Sequence, residues 1–414
     1  MRTGEIREPE RGQWGKPLDG VRILAAEQMQ ALPYATQLLA HLGADVVKVE
    51  HPEHGDSARG SKPALTDEDG RSVGATYLRN NLSKRSIGLD LKKPAGRDLF
   101  LKLAPHFDVV AENFRPGAFD RLGLGYADLE RVDPRIILLS VSGFGNLKPS
   151  PYAKWPAYAP IPEAMAGFYE QNRREGEHLR PLVAGALGDI GSAMFAAIGL
   201  LTALRHRDRT GVGQHVDVAM YDAMIAMADM VPFMASMGAE KISQGGPWII
   251  EGFRAKDGDF VIEVIRDHHL RSLADVIGRP DWKQDPRFAD RDQWHGLIEP
   301  EVRPAVEAWA ADKTKLEACH LLCEGGVAAG PSNRAADLLA DPHVRDHNMI
   351  LEIDRPDSEQ PLHVVGNPIK LSKMVEGPVR SFPRLGEHTG EVLSELLDLS
   401  DAELAALRED GVIG

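Results

Sequence analysis

Short apolar stretches alternate with helical segments along the first 150 residues, and this alternation constrains the fold more than any other feature. Five stretches have the length and composition of buried strands, at residues 21–25, 45–50, 86–91, 108–111 and 136–141. Residues 33–42 and 94–103 have the apolar spacing of helices. Strands separated by helices predict an α/β fold in which helices cover a parallel sheet. Ligands bind at the carboxyl ends of such strands, so we expect the site in the loops that follow them.

The second half of the chain departs from this pattern. Residues 191–205 are a predicted helix of small residues, and a second helix is predicted over about 216–237, which holds six of the twelve methionines. A Met-rich helix is typical of a connecting segment or a subunit interface. Asp257-Gly258, between two apolar runs, predicts a β-hairpin. We therefore predict a smaller α+β domain at about 240–330 and an amphipathic helix near the C-terminus.

Composition excludes several classes of partner. Lys and Arg number 48 against 62 Asp and Glu among 414 residues, so the formal net charge is −14. Nucleic acids and anionic membranes require a basic surface, which such a chain does not favour. Neither a transmembrane-length apolar run nor the apolar core of a secretory signal is evident. Cys319 and Cys323 are too few for a metal cage or a disulfide framework. We expect a soluble, cytoplasmic protein.

The signatures of several common enzyme classes are missing. The turn after the first strand, residues 27–33, reads EQMQALP and contains no glycine. A dinucleotide pyrophosphate needs glycines there so that the backbone can approach it closely. The sequence has no GxSxG, P-loop or HExxH motif, and its histidines lack the spacing of metal ligands. Neither a nicotinamide cofactor nor a metal is expected.

Asp189 is the carboxylate that the sequence singles out. It lies in GALGDIGS, residues 185–192, where the small-residue helix begins. One interpretation is an N-cap that stabilises the helix by about 1 kcal/mol. The other is a nucleophile that the helix dipole keeps ionised, with glycines leaving room for a thioester. The two interpretations are compatible, and the segment alone leaves both open.

Seven segments occur in the order found in one known family. They are residues 21–50, 55–60, 81–90, 112–123, 142–145, 209–214 and 383–389. Together they resemble the family III CoA-transferases (CaiB/BaiF), of the formyl-CoA and carnitine CoA-transferase type. The resemblance extends over nearly the whole chain. It implies an enzyme that moves CoA from an acyl-CoA thioester to a carboxylic acid, with acyl-CoA as substrate and no metal or nicotinamide.

The resemblance also implies an architecture. Both ends of the chain would form a Rossmann-like large domain, and two ring-shaped subunits would be threaded through each other as an interlocked homodimer. We expect residues 1–215 and 331–414 in the large domain, a linker helix at 216–240 and the small domain at 241–330.

The same resemblance assigns roles to individual residues. Asp189 matches the catalytic aspartate, which would form a mixed anhydride and then an aspartyl-CoA thioester. Gln30 matches a glutamine near the reacting acyl group, where an amide can donate to an oxyanion, and Gln28 is a neighbouring candidate. The positions that match CoA contacts are His51, Leu89, Lys92, Asn113, Phe114 and Arg121. Gly245 and Gly246 match a glycine loop that shields the intermediates.

Two departures from the family pattern affect these assignments. Leu32 stands where relatives have a glycine after the glutamine, which narrows the pocket or shifts the turn. His51 stands where the formyl-CoA enzyme has an arginine that contacts CoA. The acyl specificity of relatives therefore does not transfer to this chain.

Two other functions are alternatives to CoA transfer for a chain of this kind. An α-methylacyl-CoA racemase needs a His–Asp pair that exchanges the α-proton, but Tyr158 stands where its histidine should be, and an unperturbed phenol is a poor base at neutral pH. A CoA-binding protein without turnover would not need Asp189 among glycines. The sequence favours the transferase.

Overall fold

The computed structural model describes residues 1–171, 173, 176–182, 185–238 and 246–414. Its strands are β1 (Arg22–Ala26), β2 (Asp45–Glu50), β3 (Ala64–Thr66), β4 (Ser72–Gly74), β5 (Arg85–Gly88), β6 (Val109–Glu112), β7 (Ile137–Ser142), β8 (His215–Ala219), β9 (Ile249–Arg254), β10 (Asp259–Val264), β11 (Ala328–Pro331), β12 (Ile350–Arg355) and β13 (Ser358–Val365).

The α-helices are α1 (Ala31–His41), α2 (Ala75–Leu78), α3 (Pro94–Leu103), α4 (Ala118–Arg121), α5 (Tyr126–Val132), α6 (Pro160–Met165), α7 (Phe168–Gln171), α8 (Leu187–Thr210), α9 (Met220–Ala228), α10 (Met230–Ser236), α11 (Asp267–Val276), α12 (Pro286–Ala289), α13 (Trp294–Leu297), α14 (Arg303–Ala310), α15 (Lys315–Glu324), α16 (Ala335–Ala340), α17 (Pro342–Asp346), α18 (Thr389–Leu397) and α19 (Asp401–Glu409). Short 3₁₀ turns cover Pro9–Trp14, Ser57–Gly60, Ala104–His106, Pro280–Lys283 and Arg291–Gln293, and a π turn covers Ile298–Val302.

A six-stranded sheet with the order β5-β2-β1-β6-β7-β8 lies at the centre of the larger compact unit, residues 1–231 and 343–414. Every neighbouring pair of its strands is parallel. Ile23 of β1 pairs with Val46 of β2 on one side and with Val109 of β6 on the other. The predicted α/β class with a parallel sheet is confirmed.

Helices bury both faces of this sheet. On one face α1 and α8 pack through Leu39, Ala196 and Leu200. On the other face α3 packs together with the C-terminal helices, and Val392 of α18 and Leu404 of α19 are buried there. Residues from both ends of the chain therefore build the same core.

The predicted Met-rich helix differs from the structure at both its start and its middle. His215–Ala219 is the edge strand β8, paired with β7, because Val216 and Val218 favour an extended backbone beside the sheet. The helical part is then divided into α9 and α10 at Asp229, whose φ is 32°. One continuous helix over 216–237 was therefore the wrong prediction.

The helix α8 is long and apolar enough to cross a membrane by length and composition, and no other described helix is. Its residues Ala193, Ala203 and Leu204 lie in the core beside the sheet. It is a core helix.

The smaller compact unit comprises residues 232–342. Its antiparallel sheet has the order β11-β10-β9, and β9 and β10 form the predicted hairpin around Asp257-Gly258. Trp282, Trp294 and Phe260 are fully buried among its helices. The unit thus has a core of its own.

Candidate active site

The turn after β1 is held by contacts to its backbone. The Asn113 side chain accepts a hydrogen bond from Gln28 N and donates one to Gln28 O, both 2.8 Å long. Met29 has a positive φ of 62°, which costs a non-glycine residue free energy, and its N–H donates to Asp56 Oδ1 at 2.9 Å. The glycine-free turn is therefore fixed by side chains from two neighbouring loops.

Gln30 follows this turn at the N-terminus of α1. The residue is 7% exposed, and its Oε1 accepts a hydrogen bond from Arg79 Nη2 at 2.7 Å. Its Nε2 is buried and has no partner among the residues that the structure describes. A buried donor without a partner is costly, so this amide is available to a ligand.

Asp189 lies in the first turn of α8 but does not cap the helix. The helix begins at Leu187 with Ala186 in the N-cap position, and Asp189 is the third helical residue. The capping interpretation is therefore wrong. The buried carboxylate of Glu163 instead accepts the hydrogen bond of Gly188 N at 2.7 Å, and it also accepts one from the Tyr169 hydroxyl.

The glycines around Asp189 allow close packing. A Cβ on Gly188 would lie 2.7 Å from Ala159 O, and one on Gly191 would lie 2.4 Å from Met227 Sδ. At Gly188 the obstructing atom belongs to the backbone, so that position requires glycine, whereas at Gly191 it belongs to the flexible Met227 side chain, which can shift. At these two glycines the neighbouring space is filled by Ala159, which precedes α6, and by Met227 of α9, so neither leaves room for a ligand there.

The electrostatics of Asp189 suit a carboxylate that titrates near neutrality. Burial and the negative charge of Glu163 raise its pKa to about 6, while the positive charge of Arg79 opposes the rise. A carboxylate with this pKa is mostly ionised at pH 7 and is less solvated than a surface aspartate. Both properties favour reaction with an electrophile.

Asp189 and Gln30 line one cleft of about 340 Å³, which we call the Asp189 cleft. Arg115, exposed and without an ion pair among the described residues, contributes a positive charge to its wall. The lining of the cleft also includes Gln28, Asn113, Phe114, Trp155 and Tyr158.

A second cleft of about 350 Å³, the Lys92 cleft, shares Gln28 and Phe114 with the first. Predicted CoA positions that line it are His51, Leu89, Lys92, Phe114 and Arg121. Lys92 and Arg121 are exposed, and within the described parts of the chain neither side chain forms an ion pair. Two unpaired cations beside an apolar cleft are suited to binding phosphate groups.

The other predicted positions in this cleft have particular environments. Leu89 is buried and hydrogen-bonds through its backbone to Glu50 O. His51 Nδ1 accepts hydrogen bonds from the backbone N–H groups of Glu53 and His54. Phe114 stacks on Phe119 with 5.7 Å between ring centroids.

A buried network of charges lies beneath the turn. Lys48 Nζ is 2.8 Å from Asp56 Oδ2 and donates to Glu27 O at 2.9 Å. Burial lowers the pKa of Lys48, but Asp56, Glu27 and Glu50 raise it overall. Beside them Glu50 is paired with Arg59 at 2.8 Å.

The structure therefore brings nine predicted site residues to two clefts that share a wall. Of the predicted glycine loop, Gly246 lies in the smaller unit, where its carbonyl accepts a hydrogen bond from Trp248 N, and Gly245 lies outside the described residues. Reasoning from sequence missed Arg79, Arg115 and Glu163, which stand near Gln30 or Asp189. No group of three or more possible metal ligands occurs among the described residues.

The chain is similar to known proteins over most of its length. Residues 18–389 match the family described as CoA-transferase family III. A succinyl-CoA:mesaconate CoA-transferase of Haloarcula hispanica is 34% identical, and the alignment covers 91% of this chain and 96% of the relative. A formyl-CoA:oxalate CoA-transferase of Bradyrhizobium sp. strain ORS 278 is also 34% identical, with coverages of 96% and 97%.

A third relative is the beta subunit of succinyl-CoA--L-malate CoA-transferase from Chloroflexus aurantiacus, 34% identical with coverages of 96% and 98%. Among solved structures, a CAIB/BAIF family protein from Brucella suis superposes with a TM-score of 0.79 at 30% identity. That alignment covers 92% of this chain and 99% of the other.

Proposed function

This chain is a family III CoA-transferase, as its sequence predicted, and from that premise we propose that Asp189 carries the CoA transfer as a covalent nucleophile. The observation that carries the proposal is the pairing, in one cleft, of the Asp189 carboxylate with a buried Gln30 amide that has an unpartnered N–H group. A nucleophile and an oxyanion donor are the two groups that acyl transfer requires.

In the first step an Asp189 oxygen attacks the thioester carbonyl carbon of the donor. The carbonyl oxygen becomes negative and accepts a hydrogen bond from Gln30 Nε2. The C–S bond then breaks, so the products are CoA thiolate and a mixed anhydride between Asp189 and the acyl group. No proton is taken up or released, which suits a site without a paired base.

In the second step the CoA thiolate attacks the aspartyl carbonyl of the anhydride. The bond from this carbon to the bridging oxygen breaks, the donor acid leaves as a carboxylate, and Asp189 carries CoA as a thioester. An acceptor carboxylate then reverses the two steps and leaves as its own CoA ester. Every intermediate remains activated, so the cycle requires no ATP but must exclude water.

We place the nucleotide part of CoA in the Lys92 cleft. The exposed cations Lys92 and Arg121 would bind phosphates, and Phe114 and Leu89 would provide apolar surface. Phe114 and Gln28 line both clefts, so a thioester extending past them would reach Asp189. Asn113, whose amide already binds the Gln28 backbone, would act by fixing that turn.

We propose a dicarboxylic acid as the acceptor. The names of three relatives include mesaconate, oxalate and L-malate, each of which carries two carboxylates. The unpaired Arg115 in the Asp189 cleft supports this class, because one carboxylate can pair with the guanidinium while the other reacts. The three relatives are equally identical to this chain, so their names do not select one acid.

We also propose that the enzyme acts as an interlocked homodimer, with the Gly245–Gly246 segment covering the intermediates. Large apolar side chains are exposed along α8, namely Met194, Phe195, Ile198 and Leu201. An exposed apolar stripe of this kind supports an interface with a second copy. Sedimentation equilibrium should give twice the mass of the chain, and a monomer at micromolar concentration would contradict the dimer.

The test of the transfer itself is a mass-spectrometric screen. Succinyl-CoA is offered with mesaconate, oxalate or L-malate, and the new CoA ester is measured for wild type, Asp189→Ala and Asp189→Asn. Hydroxylamine added during turnover should modify Asp189, which peptide mapping would locate. Full activity in Asp189→Ala would falsify the mechanism, and α-proton exchange without transfer would indicate a racemase instead.

A further inference from the structure

The guanidinium of Arg79 contacts the Gln30 amide. Arg79 follows the short helix α2 and is exposed, yet its Nη2 donates to the buried Gln30 Oε1 at 2.7 Å. We propose that Arg79 is a positioning residue for CoA transfer: it holds the Gln30 amide by its oxygen and so leaves the Nε2 hydrogens for the reacting carbonyl. This inference rests on the proposed role of Asp189 and Gln30.

The chemistry of arginine determines which way the amide faces. A guanidinium has five N–H donors and no acceptor, so only the oxygen of a glutamine amide can bind it. The Gln30 nitrogen must then point away from Arg79, and it is this atom that is buried without a partner among the described residues. Without Arg79 the amide could rotate by 180° and present its oxygen to a developing oxyanion, which would repel it.

The backbone fixes Arg79 to the same helix that bears Gln30. Arg79 O accepts a hydrogen bond from Gln37 Nε2 at 2.9 Å, and Gln37 lies in α1, two turns after Gln30. Gln37 Oε1 in turn accepts from Leu82 N at 2.7 Å. The residue therefore meets α1 at two points, one through its side chain and one through its main chain, which restricts the geometry before substrate binds.

The charge of Arg79 also favours the proposed reaction, as its geometry does. Its positive charge lowers the pKa of Asp189, against the effects of burial and of Glu163 on α6. Arg115 and Tyr158 line the same cleft. One side chain thus stabilises the nucleophile in its reactive form and orients the donor for the oxyanion.

The test compares Arg79→Met, which removes the hydrogen bond and the charge, with Arg79→Lys, which keeps a donor and the charge. Arg71→Met is the matched control, because Arg71 is exposed and forms no ion pair among the described residues. Succinyl-CoA is assayed with whichever of mesaconate, oxalate and L-malate the wild type converts fastest. We expect kcat to fall about 100-fold in Arg79→Met, the loss typical of one oxyanion donor. The KM for succinyl-CoA should change less than about threefold, and Arg79→Lys should retain most of the activity.

A double-mutant cycle separates positioning from a general structural role. In a Gln30→Ala background, Arg79→Met should lower kcat by less than about threefold, because the amide that it positions is gone. In that background, Arg79→Met should still move the acid limb of the pH profile of kcat/KM to higher pH. Equal losses of kcat in both backgrounds, or a loss confined to KM, would overturn the proposal.

A readout without turnover keeps the proposal testable if none of these acids is converted. The ionisation of Asp189 can be followed by ¹³C NMR of aspartate-labelled protein, with Asp189→Asn for assignment. Its pKa should be higher in Arg79→Met than in wild type and unchanged in Arg71→Met, and an unchanged pKa in Arg79→Met would contradict the inference. An inactive wild type or an active Asp189→Ala would instead contradict the proposed function. If Arg79→Met does not fold, Arg79→Gln replaces it, since glutamine also removes the charge.

Discussion

The two clefts share a wall but are built differently. In the Asp189 cleft the reactive groups are partly or fully buried, and the turn that carries Gln30 is fixed by Asn113 and Asp56. In the Lys92 cleft the cations Lys92 and Arg121 are exposed and form no ion pair within the described parts of the chain. The first cleft holds the turn that carries Gln30 in place through hydrogen bonds, whereas the second presents exposed cations that can adjust.

This difference corresponds to the two tasks of a CoA-transferase. Covalent steps require groups held within a fraction of an ångström of the reacting carbon, so a buried, hydrogen-bonded framework is favoured. Holding CoA requires attraction over a long, flexible ligand, which long cationic side chains provide. The comparison predicts that substitutions in the first cleft change kcat or stability, whereas substitutions in the second change KM.

The largest effect is expected at Asp189. Asp189→Asn keeps the shape of the side chain but removes the attacking charge, so transfer should fall by at least about 10⁴-fold in the mass-spectrometric assay. The matched control is Asp222→Asn, an exposed aspartate on α9 without an ion pair among the described residues. Comparable losses in both variants would show that the effect is not specific to the cleft.

The next effect concerns the charges beneath the turn. Lys48→Met would leave Asp56 buried without its cation, while Glu27 would keep its pairing with Lys84, so the free energy of unfolding should fall by about 3–5 kcal/mol. Lys92→Met removes an exposed lysine and should change that free energy by less than about 0.5 kcal/mol. Urea unfolding of both variants measures the contrast. Equal stabilities would show that the buried charges beneath the turn contribute no more to folding than an exposed cation of the Lys92 cleft.

The sequence predicted the sheet better than the segments beyond it. The strand β2 and the helix α3 have the predicted bounds, because apolar spacing is strong in both. The prediction was wrong at β8, because the Met-rich helix α9 follows this strand directly. The helical composition of α9 led to a predicted helix that began too early, within the strand. The amphipathic helix predicted near the C-terminus is divided in the structure into two helices, α18 and α19. The first ends just before Asp398, which has a φ of 53°.

The site was predictable only where a motif or a family position marked a residue. Asp189 and Gln30 were found in this way, and the structure places them in one cleft. Arg79 is 49 positions from Gln30, and Glu163 belongs to a separate helix, so local spacing could not relate them to the site. Such contacts depend on tertiary packing, which a single sequence does not specify.

A smaller effect is expected in the Lys92 cleft. Lys92→Met and Arg121→Met should each raise the KM for succinyl-CoA about 3–10-fold and change kcat less than about twofold, because each removes one phosphate contact. The KM of the wild type should rise with ionic strength, because salt screens exposed charges. The KM of each variant should rise less, because one of these charges has been removed. Lys102→Met, at an exposed site on α3, serves as the control. A loss of kcat with KM unchanged would place these cations in the chemical step.

The smallest effect concerns pH and distinguishes the neighbours of Asp189. Only the ionised carboxylate attacks, so with a pKa of about 6 the value of kcat/KM should be constant above pH 7 and fall about tenfold per unit well below pH 6. Glu163→Gln removes a negative charge that raises this pKa, while its amide oxygen can still accept from Gly188 N. The acid limb should therefore move to lower pH in Glu163→Gln and to higher pH in Arg79→Met. Glu163 and Arg79 carry charges of opposite sign, so removing each should shift the pKa of a carboxylate near both in opposite directions. Shifts of the acid limb in the same direction would therefore show that it reports the ionisation of another group.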